Sequence, residues 1–201
     1  GMRRTPVDTQ LLSSTTRNWL LSLARTTIRR ALDDGRLHLP EPADVPDEAA
    51  LTGAAFVTLR RDGALLGCIG SMEPHRPLAV DVASHAYDAA FRDPRLPAVT
   101  LDDWEHMDIE VSVLGPLQTV DVHDRAGLRA VLRPGTDGVL LTSREGRGTF
   151  LPSVWDQVRS PEEFLDLLWR KAGLRAGRWP TDLVVERYQV TEFGEHDLPV
   201  D

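Results

Sequence analysis

Apolar residues recur along this chain with two periods, one helical and one extended. From Thr16 to Asp34 (TRNWLLSLARTTIRRALDD) the stripe Leu20, Ala24, Ile28 and Ala31 predicts an amphipathic helix, and Gly35 supplies its stop. A second helix is predicted over Leu78 to Phe91, with Ala79, Val82, Ala83, Ala86 and Ala90 on one face. Alanines there predict close packing over a sheet. A third helix is predicted over 161–172. Ser160 is its N-cap, Pro161 fits the first turn, Glu163 completes a capping box, and Phe164, Leu165, Leu168 and Ala172 form the buried face.

The extended period appears in Ala54–Arg60 and Ala64–Ile69, joined through Arg61-Asp62-Gly63, a strong hairpin signal. In Asp108–Leu114, Ile109, Val111 and Val113 face one way while Glu110, Ser112 and Leu114 face the other. LQTVDV reads as a short strand, DRAGLRAVL as a short helix, and VLLTS with the residues after it as a second hairpin. Residues 182–193, DLVVERYQVTEF, read as one long strand. HLPEPADVPDEAALTG, rich in proline and acid, reads as an exposed connection, and LPAVTLDDWEHM as a lead into the third strand. Strands joined by hairpins, with helices between groups of them, predict an α+β fold whose sheet is largely antiparallel and packed with helices.

Composition narrows the function classes. A net charge of −8 argues against a broad nucleic-acid surface, since phosphate binding needs a basic face. No apolar run approaches the ~20 residues that span a bilayer, so no membrane segment is expected. The single cysteine permits no internal disulfide and no thiolate zinc cage, which fits a reducing, cytoplasmic setting. Gly1 before Met2 reads as an expression scar. The six histidines lack paired ligand spacing, so neither a metal nor a cofactor is expected. Ser71, Ser112 and Ser153 lack a nucleophile elbow.

Three side chains are candidates for chemistry. Cys68 would be a nucleophile if a base or cation activated it, and otherwise a small apolar residue between Gly67 and Gly70, glycines that suit a bulge or close backbone approach. Glu110, a carboxylate on a half-buried strand, calls for a cation, with Arg95 and Lys171 in view. Lys171 is the only lysine among 23 basic residues, at a helix end where it also complements the dipole.

In order, LLGCIGSMEPHRPL, AFRDPRLPAVT, DIEVSVLGP, GTDGVLL, FLPSVW and LLWRKAGL resemble the AMMECR domain family, whose prokaryotic members are labelled AmmeMemoRadiSam system protein A. The resemblance implies a single domain with two lobes over 16–193, between a flexible tail at 1–15 and another at 194–201. It implies no established activity, and a functional link to a Memo-like protein and a radical SAM enzyme. The family's Leu-Arg-Gly-Cys-Ile-Gly is here Leu65-Leu66-Gly67-Cys68-Ile69-Gly70, with Leu66 replacing arginine. Asp93-Pro94-Arg95-Leu96 keeps the family's charged pair and loses an aromatic ring; Leu151-Pro152-Ser153-Val154 loses a carboxylate or amide; Lys171-Ala172-Gly173 matches the helix end.

Two function classes follow. The first is a ligand- or partner-binding module, with Gly67, Cys68, Gly70, Asp93, Arg95 and Ser112 at its site. The second is a small enzyme with a pocket around Cys68, Arg95, Glu110 and Lys171, the catalytic candidates being Cys68, Glu110 and Lys171. Because Leu66 removes the nearest expected cation, Cys68 is expected to be chiefly structural, its neighbours carrying any chemistry.

Overall fold

A computed structural model describes residues Leu12–Asp197. The chain divides into two units, Gly1–Leu114 with Thr191–Asp201, and Gly115–Val190. Each holds a four-stranded sheet. The fold is α+β, and the strand pairings resolved in both sheets are antiparallel.

In the first unit, α1 (Ser14–Asp34) starts two residues before the predicted Thr16, because the Ser13 hydroxyl accepts the Thr16 N–H. It ends at Gly35, whose φ of 73° is left-handed. The proline- and acid-rich connection contains a 3-10 turn, Pro42–Asp44, and the short helix α2 (Asp47–Ala50), whose Ala49 is buried. Strands β1 (Ala55–Arg61) and β2 (Ala64–Gly70) form the predicted hairpin around Asp62 (φ 51°) and Gly63 (φ 80°). Helix α3 (Leu78–Phe91) follows. The helix α4 (Leu101–His106) was not anticipated by the reading of its segment as a lead-in; Thr100 and Asp103 close a capping box at its start.

Strand β3 (Asp108–Leu114) pairs with β1, and the sheet order is β2-β1-β3-β8, with β8 spanning Val190–Gly194. Val57, Leu59, Ile109, Val111 and Val113 lie on one sheet face, fully buried in a core shared with α1 and α3. The alternation read in Asp108–Leu114 therefore holds residue by residue.

The second unit contains β4 (Gln118–Thr119), α5 (Arg125–Val131), the hairpin β5 (Gly138–Ser143) and β6 (Gly146–Phe150), a 3-10 turn at Pro152–Gln157, α6 (Pro161–Lys171) and β7 (Val184–Tyr188). Its core joins Leu128, Val139, Leu141 and Val185 to Phe164, Leu165 and Leu168 of α6, and Trp155 stacks on Phe164 at 3.8 Å. The long strand expected over 182–193 is two strands: β7 belongs to the second sheet and β8 to the first, and Gln189 separates them. Gly194 closes β8 and Glu195–Asp197 form a 3-10 turn. Residues 1–11 and 198–201 of the expected tails lie outside the described residues. No described helix is long and apolar enough to cross a membrane.

Candidate functional site

The sheet face opposite the first core carries polar residues in register. Cys68 on β2 stands across from Thr58 on β1, and Thr58 across from Glu110 on β3. The thiol and the Thr58 hydroxyl share a hydrogen bond at 3.3 Å. Glu110 shares one with Glu192 of β8, so a single row crosses all four strands. The adjacent row is Gly70, Phe56 and Ser112. Ser112 is buried, and the Phe56 ring covers Gly70, where a Cβ would sit 2.3 Å from Cγ.

Gly67 faces the other way, onto α3. A Cβ there would fall 1.9 Å from the carbonyl oxygen of Ala89, so helix and strand touch backbone to backbone. Leu66 is the extra residue of a bulge: Leu59 pairs with Gly67 and Arg60 with Leu65. Its side chain is partly buried and packs against the first core.

Asp93 and Arg95, just beyond α3, grip the free edge of β2. Cys68 N–H donates to Asp93 Oδ2 at 3.0 Å, and Arg95 Nη2 donates to the Cys68 carbonyl at 3.3 Å. Arg95 also donates to both Asp93 oxygens, at 3.0 and 2.8 Å. Those Arg95 bonds, followed by the N–H groups of Cys68 and Arg95, hold the nearly buried Asp93 far below the ordinary carboxylate range, although burial opposes them. Arg95 is thereby hydrogen-bonded to a carboxylate and a peptide carbonyl, within electrostatic reach of the Cys68 sulfur, whose own hydrogen-bond partner is the Thr58 hydroxyl.

A second carboxylate supports the same strand from its end. Asp81 of α3 is 1% exposed and accepts from Ala55 N–H at 2.8 Å, from the Ser71 hydroxyl at 3.2 Å and from Arg76 Nε at 2.9 Å. His85 Nδ1 lies 3.2 Å from Asp81 Oδ2, in a geometry too bent for a well-formed hydrogen bond, yet close enough to be the foremost of the groups that favour the Asp81 charge. Burial works against the charge of Asp81; these contacts outweigh it and hold the pKa below the ordinary value.

Glu110 behaves in the opposite way. Burial, then the hydrogen bond and the charge of Glu192, push its pKa up to about 8, while Arg60 and His196 pull it down. The cation expected beside it from sequence is neither Arg95 nor Lys171: the positive groups facing it are Arg60, with Nη1 4.0 Å from Oε1, and His196. Lys171 belongs to the second unit, where Nζ donates to the Thr149 carbonyl at 2.7 Å and lies 5.1 Å from the Phe150 ring centre. The row is thus satisfied largely within itself: the Thr58 hydroxyl and the Cys68 sulfur are bonded to each other, Thr58 is buried, and Glu110 holds its proton against Glu192.

Sequence reading missed Thr58, Glu192 and Asp81. Thr58 was legible as the polar residue between Val57 and Leu59, and Asp81 as an acid inside an alanine-rich face; Glu192 had no local signal. Among the described residues Asp102, Glu105 and His106 bring possible metal-ligand atoms together, but all three are exposed on α4 and Asp102 is bonded to Arg61 at 2.8 Å. This cluster is a solvated helix face.

Two antiparallel sheets with helices packed on them, and a glycine-flanked cysteine held at one sheet edge, define the class of domain. The AMMECR1 family model matches residues 21–193, and the chain belongs to the AMMECR1 family. A protein of Methanothermobacter thermautotrophicus is 38% identical over 160 residues, covering 77% of this chain and 81% of that one. One from Pyrococcus furiosus is 34% identical over 192 residues, covering 90% and 88%. The crystal structure of an uncharacterized Pyrococcus horikoshii protein superposes with a TM-score of 0.85 at 30% identity, covering 92% of this chain and 93% of that one.

Proposed function

We propose that the chain is a binding module whose ligand face is the polar side of the first sheet, centred on Cys68, Thr58 and Glu110. The observation that carries this reading is the in-register row of polar side chains on one sheet face, held in place from outside by Asp93, Arg95 and Asp81. Gly70 and Ser112 set the shape of that face, Gly67 seats β2 on α3 behind it, and Cys68 serves the face as a packed thiol. The partners are a Memo-like protein and a radical SAM enzyme, a choice supported by family resemblance alone.

The test is direct binding between the purified chain and a Memo-like protein from the same genome, by calorimetry. The expected result is a dissociation constant of about 10 μM or tighter, weakened about tenfold by Thr58→Arg. Heat of mixing indistinguishable from buffer up to about 100 μM protein would refute the Memo partnership.

A second reading, a small enzyme, draws support from one observation. Glu110, with its pKa pushed up to about 8, would be a general acid in the same row as a thiol. Nucleophilic reactivity of Cys68 separates the two.

A further inference from the structure

We propose that the groove between α1 and the connection after it docks an extended polypeptide segment of a partner protein. That segment is acidic at one end, apolar at its centre and basic at the other end. The groove is built from elements other than the sheet face proposed above, so it is a separate surface.

The connection after Gly35 runs back along α1. His38 Nε2 lies 2.6 Å from Asp34 Oδ2 at one end, and the Ser13 N–H donates to Glu48 Oε2 at 2.9 Å at the other. Between these ties lies an open cavity of about 310 Å³ with Trp19, Leu23, Leu39 and Pro40 as apolar walls. Arg30, Glu41 and Asp44 also line it. The antiparallel course of the connection orders these charges. Arg30, one turn before Asp34, stands toward the His38 end, and Asp44 stands toward the Ser13 end.

The groups left unspent here define the occupant. Arg30, Glu41 and Asp44 have neither an ion pair nor a side-chain hydrogen bond among the described residues. Opposite charges that share a groove without closing on each other are complemented by an occupant with the reverse order of charge. The centre is apolar and open, with Leu37 37% and Leu39 49% exposed. Pro40 biases Leu39 toward the extended region, and Leu37, His38 and Leu39 make no main-chain hydrogen bond among the described residues. Their N–H and C=O groups are therefore available to an added strand. The indole N–H groups of Trp104, Trp155 and Trp169 each donate to a carbonyl. That of Trp19 has no partner among the described residues and can donate to a peptide carbonyl. A free amino acid would match the charges but leave Leu37 and this backbone uncovered, which favours a polypeptide.

Titration of the full chain, followed by amide NMR, tests this. The probes are the acetylated, amidated peptides Glu-Leu-Val-Leu-Arg and Arg-Leu-Val-Leu-Glu, because strand addition runs in either direction. At least one is expected to shift the Leu37, His38 and Leu39 amides and the Trp19 indole N–H, with a dissociation constant of about 1 mM or tighter. Ser-Leu-Val-Leu-Ser is expected to bind about fivefold more weakly. Leu39→Asp, at an exposed position, should abolish the shifts while the melting temperature stays within about 2 °C of wild type. No saturable shift with either charged peptide up to about 5 mM, equal affinity for the serine peptide, or wild-type binding by Leu39→Asp would overturn the proposal. A dimer in sedimentation that Leu39→Asp dissolves would overturn the assignment to a partner protein and make a second copy of this chain the occupant.

Discussion

Gly67→Ala is expected to lower stability by about 3 kcal/mol or more, and the melting temperature by roughly 10 °C. The methyl group it adds would meet the Ala89 carbonyl oxygen at 1.9 Å and its carbon at 2.8 Å. Both are backbone atoms of α3, so relief requires the helix to leave the sheet or β2 to untwist. Either movement disturbs Asp93 and Arg95, which follow α3 and hold Cys68. Gly70→Ala is a useful contrast, because its obstacle is the Phe56 ring, a side chain able to rotate. A thermal melt of both variants checks the point: Gly67→Ala should be the more damaging, and a near-wild-type melt for it would contradict backbone contact at this position.

The second large effect is a pH dependence located at Glu110. Its folded pKa, about 8, stands above the ordinary glutamate value of 4.5, so the folded state binds this proton more tightly than the unfolded state does. Stability from that difference is fully present below about pH 4.5 and is lost as pH rises through about 8. Glu110→Gln keeps the size and the donor without the ionisation. Denaturant titrations of both proteins should coincide within about 1 kcal/mol near pH 5, and near pH 8.5 the variant should be more stable by roughly 2–4 kcal/mol. The side chain is 21% exposed, so solvent screening reduces this only in part. A difference that stays flat across that window would mean that the pair carries no strained proton.

Much of the fold was legible because its signals are local. Asp62-Gly63 predicts the hairpin, Ser160 to Glu163 the start of α6, and the alternation in Asp108–Leu114 which residues face the core. Helix α4 had its signal too, in Thr100 and Asp103, but a six-residue helix has too little periodicity to stand out from a lead-in. The split between β7 and β8 had none: no proline or glycine interrupts VVERYQVTEF, and sheet membership is decided by distant partners.

The site was half legible for the same reason. Cys68, Asp93, Arg95 and Glu110 could be nominated by type and by family resemblance, but their partners could not. Arg95 reaches the Cys68 peptide across 27 positions, and Glu110 meets a second acid where charge arithmetic had called for a base. Leu66 shows the limit of motif comparison, since its place in a bulge and its packing against the first core are settled by β1 and α3 and not by the local motif.

Whether Cys68 is a packed thiol of a binding face or a nucleophile is decided most directly by its alkylation rate at about pH 6, comparing folded with urea-unfolded chain. With the thiol half-buried and bonded to Thr58, the folded protein is expected to react at least about tenfold more slowly, and Glu110→Gln should not slow it further. Folded protein reacting as fast as the unfolded chain or faster, with Glu110→Gln abolishing the excess, would contradict the binding-face account and establish an activated cysteine.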